Sequence, residues 1–442
     1  VDSKTKKRIV EACKRDKVKF IQLWFTDILG QLKALTIPVE KLPSALDEGE
    51  SFDGSSVEGF ARIYESDLVV LPDPSTFQVL PWTCESTCVA RMICDVVDPD
   101  LKPYDGDPRS ILKRSIRMLG RKGFTPYLGP EIEYFYFADS GSPEALDAGG
   151  YFDLTPVDVN MELREKTVLT LEAMGIPVHA SHHEVATSQH ELDLKYDHAL
   201  KIADAVMTAR MVIKEVAHQH NVYATFMPKP IGNQNGSGMH VHQSLFKKRR
   251  NAFFNRRDKH GLSKTAKMYI SGLLRYAPEM TAITNQWVNS YKRLVPGFEA
   301  PAYICWGSRN RSALVRVPLD KPDQEAPRRI EFRCADPACN PYLAFAVMLW
   351  AGLRGIEEGR ELPDPVELDV YRMSPEERKK RGIATLPDSL FEAVEKTAQS
   401  DLVRQALGDA LLKKFIENKR IEWDNYRTQV TQYELAKYLP IL

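Results

Sequence analysis

The stretch PEIEYFYF, residues 130–137, decides how the rest of the chain is read. Glu131 and Glu133 stand two apart among aromatic and aliphatic neighbours. In a strand, residues i and i+2 share a face, so the carboxylates point one way while Ile132, Tyr134 and Tyr136 point the other. Two further segments follow the same design. MHVHQS (239–244) spaces His240 and His242 by two, and RIEFRC (329–334) spaces Glu331 and Arg333 by two. Taken singly, each reads as a strand in a sheet with one wet face. Taken together, all three carry ligand-type residues. HHEVATSQHEL (182–192) adds Glu184 and Glu191 among His182, His183 and His190. Five glutamates and at least one histidine can then converge. Mainly oxygen donors with some imidazole suit Mg²⁺ or Mn²⁺ rather than structural zinc. Such ions typically hold substrate phosphates.

Loops and arginines extend the pattern. In NQNGSGMH (233–240), Gly236 and Gly238 let backbone amides approach a ligand closely. NSYKRLVPGFEAP (289–301) reads as a mobile loop carrying Arg293 and Glu299. Arg309, Arg311, Arg316, Arg328, Arg329 and Arg333 follow, and arginine suits bidentate recognition of carboxylate and phosphate. Acid cluster, metal and arginines together point to phosphoryl transfer to or from a carboxylate. The chain has no GxxxxGK[ST], no full GxGxxG after a strand, no HExxH and no GxSxG, so a nucleotide would be held without a P-loop.

The whole-chain numbers set bounds. The 442 residues carry 60 Lys plus Arg against 60 Asp plus Glu, a net charge of zero, which argues against a broad nucleic-acid or anionic-membrane surface. The length suggests two or three domains. All ten histidines fall between His179 and His260, a window where chemistry is expected. Seven scattered cysteines do not make a disulfide scaffold and fit a reducing cytosol. Cys84, Cys88 and Cys94 read as buried small hydrophobes rather than a zinc site, with no CxxC pair or nearby histidine. No signal peptide is visible, and the apolar run Tyr342–Leu353 is too short to span a bilayer, so a cytoplasmic protein is expected.

Periodicity predicts a helix over residues 3–15 and strands in VKFIQLWFTD and QLKALTIP, with a boundary in the Pro/Asp/Gly-rich stretch 97–108. Further helices are predicted over 109–123, 159–174, 198–219, 265–277 and 341–359, and a pair over 389–438. The basic stretch 247–259 reads as a solvated hairpin loop. The apolar end KYLPIL is expected to dock, on its own chain or a neighbour's.

Seven ordered motifs now carry a resemblance: FDGSSVEGF (52–60), PEIEYFYF (130–137), HHEVATSQHE (182–191), KPIGNQNGSGMHVHQS (229–244), NSYKRLVPGFEAP (289–301), NRSALVR (310–316) and RRIEFRCADPACNPYL (328–343). Together they closely resemble type I glutamine synthetase across nearly the whole chain. The resemblance implies an α+β fold: an N-terminal β-grasp domain (1–103), then a larger catalytic domain (104–442) with a curved antiparallel sheet flanked by helices. It also implies a homododecamer of two stacked hexameric rings, with active sites between subunits and the C-terminal segment inserted into the facing ring. The implied reaction joins L-glutamate and ammonia, using ATP and two to three Mg²⁺ or Mn²⁺ ions per site, through γ-glutamyl phosphate.

Residue roles follow by the same match. Glu133, Glu184 and Glu191 hold one ion, and Glu131, His240 and Glu331 the second. Asn235, Gly236 and Arg293 bind glutamate; Arg311 and Arg333 stabilise the transferring phosphoryl group; Ser244, Arg316 and Arg329 lie on the ATP side. Asp53, Ser56, Tyr151 and Glu184 form the ammonium pocket, with Asp53 reaching in from the neighbouring subunit, and Glu299 closes the site as a flap. The chain departs from the family pattern at His179, Gln286 and Trp287, all expected near the nucleotide side. Length and motif spacing resemble the alpha subgroup, in which Arg62 is associated with feedback inhibition by glutamine. Tyr371 reads as an unmodified surface tyrosine. PII-type nitrogen regulators are possible partners. The rival readings are a γ-glutamyl ligase for another amine and a catalytically inactive structural relative.

Overall fold

The computed structural model describes residues 1–57, 67–85, 87–318, 325 and 327–442. Arg62 lies outside these residues, as does the side chain of Ser56. The first unit is a mixed sheet built from β1 (Phe20–Thr26), β2 (Leu32–Pro38), β3 (Glu50–Asp53), β4 (Asp67–Pro72), β5 (Gln78–Val79) and β6 (Val89–Val97). Its order is β2-β1-β6-β4-β3, with β5 beside β6. The β1–β6 pair is parallel, and the hairpin partner β2 runs antiparallel to β1, the β-grasp arrangement. The helix Ser3–Arg15 starts where Asp2 accepts from the amides of Lys4 and Thr5. It buries Ile9 and Cys13.

The larger sheet contains β7 (Thr125–Phe137), β8 (Val178–His183), β9 (Gln189–Leu194), β10 (Asp197–His198), β11 (Tyr223–Thr225), β12 (Met239–Lys247), β13 (Arg250–Asn251), β14 (Tyr303–Gly307), β15 (Ala313–Arg316), β16 (Ile330–Phe332) and β17 (Ala384–Thr385). The main path runs β17-β14-β15-β16-β12-β7-β9-β8. Pairing is antiparallel except for β14 with β15. Register shifts in β8 and β14 bend the sheet. The helices Pro108–Arg121, Ala199–Gln219, Lys264–Thr284 and Pro341–Glu357 bury its apolar side. The opposite face, carrying the paired polar residues, stays open. Among the described residues no helix is long and apolar enough to cross a membrane.

Several local expectations change. The helix predicted to end at Ala277 continues through Pro278 to Thr284, because its face is buried along the full length. The pair expected over 389–438 is four helices, divided at Gln399–Ser400, at Gly408 and after Arg427. Cys84 and Cys88 form a disulfide rather than lying as free buried thiols. Tyr371 is not a surface residue: it is half-buried against a small apolar cluster, and its hydroxyl donates to the Ala300 carbonyl. The basic stretch does turn as a hairpin, with Lys248 and Arg249 both at positive φ. The C-terminal arm does not dock on its own chain. The helix Gln432–Tyr438 buries no residue, and Leu439, Ile441 and Leu442 are exposed.

One buried cation joins the two units. Arg109, 2% exposed, lies in the first turn of its helix, which Asp107 caps. Its Nε and Nη2 donate to Asp204 at 3.0 and 2.8 Å, Nη1 to Asp95 at 2.7 Å, and Nη2 to Asp73 at 2.8 Å. Asp73 and Asp95 belong to the small sheet region, and Asp204 to a helix of the large unit. Among the described residues, removing the guanidinium would leave Asp73 and Asp204 without an ion-pair cation and Asp95 with Lys113 alone. Arg109→Ala should therefore lower unfolding stability by about 3–5 kcal/mol, measured by denaturant titration.

Candidate active site

The paired residues fall on adjacent strands. Arg316 on β15 faces Glu331 on β16, which faces His242 on β12. His240 faces Glu131 on β7, and Glu131 faces Asp193 on β9. Glu133 faces Glu191, and Glu191 faces His182 on β8. Antiparallel register thus gathers side chains from six strands on one face of the sheet.

Arg316, His240, Glu131, Glu133, Glu191, Asp193 and His182 line a cavity of about 340 Å³ that also receives Tyr151, Asn235, Gly236, Arg293, Glu299 and Arg311, whereas Glu331 and His242 lie outside its lining. A second cavity of about 440 Å³ lies further along the same strands, toward the start of β7, and is lined by Ser244, Arg329, His179, His242 and Tyr127. Glu131 and Asp193 line both. The two chambers therefore meet at a pair of carboxylates. Arg316, expected on the nucleotide side, lines the first chamber instead. Gln286 and Trp287 line neither; Gln286 donates to the carbonyls of Leu29 and Ala338, and Trp287 to that of Ala338. Asp53 lines neither in its own chain. It ends β3, exposed, where its carboxylate caps a turn by accepting from Ser55.

Hydrogen bonds fix each donor. His242 Nε2 lies 2.7 Å from Glu131, and its Nδ1 accepts from Arg329 Nε at 3.2 Å. The proton of a neutral His242 therefore sits on Nε2. His240 Nδ1 lies 3.1 Å from Glu131, leaving Nε2 turned toward Glu133 at 3.7 Å. Burial, then the nearby Arg333 charge, holds His240 down to about 4, so it is neutral and able to ligate at neutral pH. Glu133 accepts from Gly238 N at 2.8 Å and Gln189 Nε2 at 3.0 Å. A side chain at Gly238 would lie 2.4 Å from Arg293 Nη2, and one at Gly236 2.1 Å from the Pro228 carbonyl, so the loop closes this tightly only with glycine. Arg293 is 2% exposed and donates to the carbonyls of Arg333, Cys334 and Ala335. Glu299 is held at φ 55°, a left-handed backbone that costs a non-glycine residue energy.

Charge is unevenly neutralised. Glu331 is buried, yet the Arg333 charge, then His242, hold it down at about 2, and Arg316 also pairs with it. Glu131 is also pushed up by burial, but its bonds from His240 and His242 keep it below the usual carboxylate range. The others lack such partners. Burial raises Glu133 to about 7, and burial with repulsion from Glu133 raises Glu184 to about 8. The same two causes raise Glu191 well above its normal range. Burial and Glu131 raise Asp193 to about 7. His182 donates from Nδ1 to its neighbour's carbonyl at 3.0 Å, so its Nε2 lone pair faces Glu191 at 3.1 Å. With a neutral His182 that contact is favourable when Glu191 carries a proton or when both atoms ligate one cation. The groups Glu131–Glu191–His240 and His182–Glu184–Glu191 each bring three ligand atoms within 4.8 Å of one another. The donor set fits divalent cations bound mainly through oxygen.

Gln189, Asp193, His182 and His242 were not assigned roles from the sequence. Gln189 and Asp193 flank Glu191 at i−2 and i+2 on β9, so the same-face rule that selected Glu131 and Glu133 would have found them.

These shifts set a sign. A carboxyl raised from 4.5 toward 7–8 on folding means the native state binds more protons than the unfolded chain between those values. Stability in chelator should therefore fall as pH rises from 6 to about 8.5. Mg²⁺ should remove most of that fall. Melting curves across pH, with chelator and with Mg²⁺, measure both slopes.

Comparison with known proteins agrees with this geometry. Residues 105–438 match the family described as glutamine synthetase, catalytic domain, and residues 17–99 match glutamine synthetase, beta-Grasp domain. The chain is 49% identical to the glutamine synthetase of Mycolicibacterium smegmatis over 442 residues, 99% of each chain. It is 47% identical to that of Clostridium saccharobutylicum over 439 residues, 98% of each. The cryo-EM structure of Plasmodium falciparum glutamine synthetase superposes with a TM-score of 0.89 at 26% identity, covering 98% of each chain. The GmaS–ADP complex superposes at 0.88 with 29% identity, covering 98% of this chain and 99% of that one. With both domains matched and near-half identity over its full length, the chain belongs to the glutamine synthetase family.

Proposed function

We propose that the protein ligates ammonia to the γ-carboxylate of L-glutamate through γ-glutamyl phosphate, converting ATP to ADP and phosphate. The observation that carries this reading is the pair of chambers meeting at Glu131 and Asp193, one rich in acids and arginines, the other bearing Ser244 and Arg329. ATP in the second chamber would present its γ-phosphoryl group at the shared wall, and glutamate in the first would present its carboxylate from the opposite side. That geometry serves in-line transfer.

Each residue then has a task. Asn235, Gly236 and Arg293 seat glutamate. Arg311 and Arg333 lie against the transferring oxygens, and Arg316 acts beside them through Glu331. Ser244 and Arg329 hold the nucleotide. Glu133, Glu184 and Glu191 would hold one divalent ion, and Glu131, His240 and Glu331 the other. Bound there, Mg²⁺ or Mn²⁺ neutralises phosphate charge as it moves from donor to acceptor. Tyr151 and Glu184, joined by Asp53 and Ser56 of a neighbouring subunit, form an anionic pocket for ammonium and take up its proton. Glu299 closes the loop and excludes water from the acyl phosphate.

The same reading proposes a dodecamer in which the undocked C-terminal arm seats on another subunit, a division between domains at 103/104, and a cytoplasmic location. It also proposes alpha-subgroup regulation through Arg62. PII-type regulators remain candidate partners, with Tyr371 unmodified.

Phosphate release should require glutamate, ammonium, ATP and a divalent ion together. Ammonium should outperform a panel of primary amines; a preferred amine would replace the ligase reading with its amine-using rival, and no metal-dependent release would favour an inactive relative. Asp53→Ala should keep ATP and glutamate binding while slowing amide formation by about 10²-fold or more. A near wild-type biosynthetic rate in that variant would remove Asp53 from the mechanism.

A further inference from the structure

A cavity of about 400 Å³ lies behind the substrate loop, outside both chambers. Arg210, from the helix Ala199–Gln219, forms one wall and is 8% exposed. Its Nη1 donates to the Cys339 carbonyl at 3.2 Å, with a weak contact to the Met207 sulfur at 3.9 Å. No carboxylate among the described residues comes within 4.0 Å of it. The acids that sense its charge are committed elsewhere: Asp27 to Leu29, Gln31 and Lys33, and Asp336 to Asn285 and Ala338. Lys214, one turn along the helix, likewise has no ion-pair partner among the described residues. Both cations lie over the Phe226 ring, at 5.6 and 5.7 Å from its centroid. Burial and the Arg210 charge lower the Lys214 pKa, as expected for two cations sharing one uncompensated site.

Trp287 lines the same cavity. Its indole donates to Ala338 and packs under the Lys419 ammonium at 4.0 Å, which holds the ring in place. Glu422, at the rim, is occupied by Lys419 and the Val288 amide. A buried guanidinium with N–H groups to spare, a second cation and two aromatic walls are complementary to a ligand both anionic and flat.

We propose that this cavity binds a small carboxylate bearing a flat apolar group, with the carboxylate on Arg210 and Lys214 and the flat group between Phe226 and Trp287. Asn289 lines the same cavity and holds both the amide and the carbonyl of Lys229, at 2.7 and 3.0 Å. Lys229 begins the segment that carries Asn235 and Gly236, and its ammonium lies 3.5 Å from the Phe298 ring centroid, beside Glu299. The cavity therefore backs directly onto the substrate loop.

The test titrates the full chain, free of nucleotide and glutamate, with benzoate, acetate and inorganic phosphate, using calorimetry and tryptophan fluorescence. Benzoate should bind saturably and more tightly than acetate or phosphate. Lys214→Ala should weaken benzoate at least about tenfold, with its melting temperature unchanged. Arg210→Gln should weaken it further; if that variant fails to fold, Lys214→Ala decides alone. Trp287→Leu should remove the preference of benzoate over acetate. Equal affinity for the three anions, no binding, or an unaltered benzoate affinity in Lys214→Ala overturns the proposal. None of these readings uses ligase activity, so the result stands apart from the function proposed above.

Discussion

Repulsion among carboxylates that one sheet face forces together is the constraint on which the active site depends. Glu133, Glu184, Glu191 and Asp193 lie within a few strands of one another, buried, with no ion-pair cation for any of the four among the described residues. Strand register leaves Glu133, Glu191 and Asp193 little room to spread, and Glu184 is held beside them in the β8–β9 turn, where its amide donates to the Gln189 carbonyl at 2.7 Å. The protein has three ways to relieve the strain: take up protons, admit divalent ions, or lend arginines. Among these buried acids it gives direct arginine ion pairs to Glu331 alone, and leaves Glu133, Glu184, Glu191 and Asp193 to the other two.

The histidines complete this division. His242 links Arg329 in the second chamber to Glu131 in the shared wall, and His240 links Glu131 to Glu133. A continuous chain of polar contacts therefore crosses between the chambers along β12. Such a chain fixes the orientation of Glu131 whichever chamber is filled. The aromatic back of β7, with Tyr134 and Tyr136 fully buried, anchors the other side of the same strand. PEIEYFYF thus serves two purposes: one face packs and the other does chemistry.

Much of this was legible in the sequence. Alternation by two selected Glu131, Glu133, His240, Glu331 and Arg333 before any fold was known, and caps such as Asp2 and Asp107 mark helix starts where periodicity put them. Other features are invisible to local pattern. Helix continuation past Pro278 depends on burial by distant segments, and the second helix boundary at Gly408 lies inside a stretch of unbroken helical periodicity. Tyr371 looks like a surface residue because its flanks are charged, yet its ring is claimed by a cluster formed from strands far away in sequence. His242 was passed over for a subtler reason. Its importance lies in a three-residue relay that only strand pairing assembles.

The opening pattern also hides an asymmetry that bears on how the site fills. In the proposed reading, the ion position at Glu131, His240 and Glu331 needs no proton release at neutral pH, since its acids are held ionised and its histidine neutral. The position at Glu133, Glu184 and Glu191 must lose protons before it can ligate. The two positions therefore differ in their proton cost although both consist mainly of glutamate. Arg333 holds Glu331 ionised and the two histidines hold Glu131 ionised, while burial and mutual repulsion outweigh the more distant arginines at Glu133 and Glu184. The first position is thus ready to take an ion alone. The second fills more readily when another influence, such as substrate or higher pH, favours the ionised acids. A net charge of zero across the chain conceals this separation: arginine and glutamate balance in number, but the architecture of one sheet decides which acids the arginines reach.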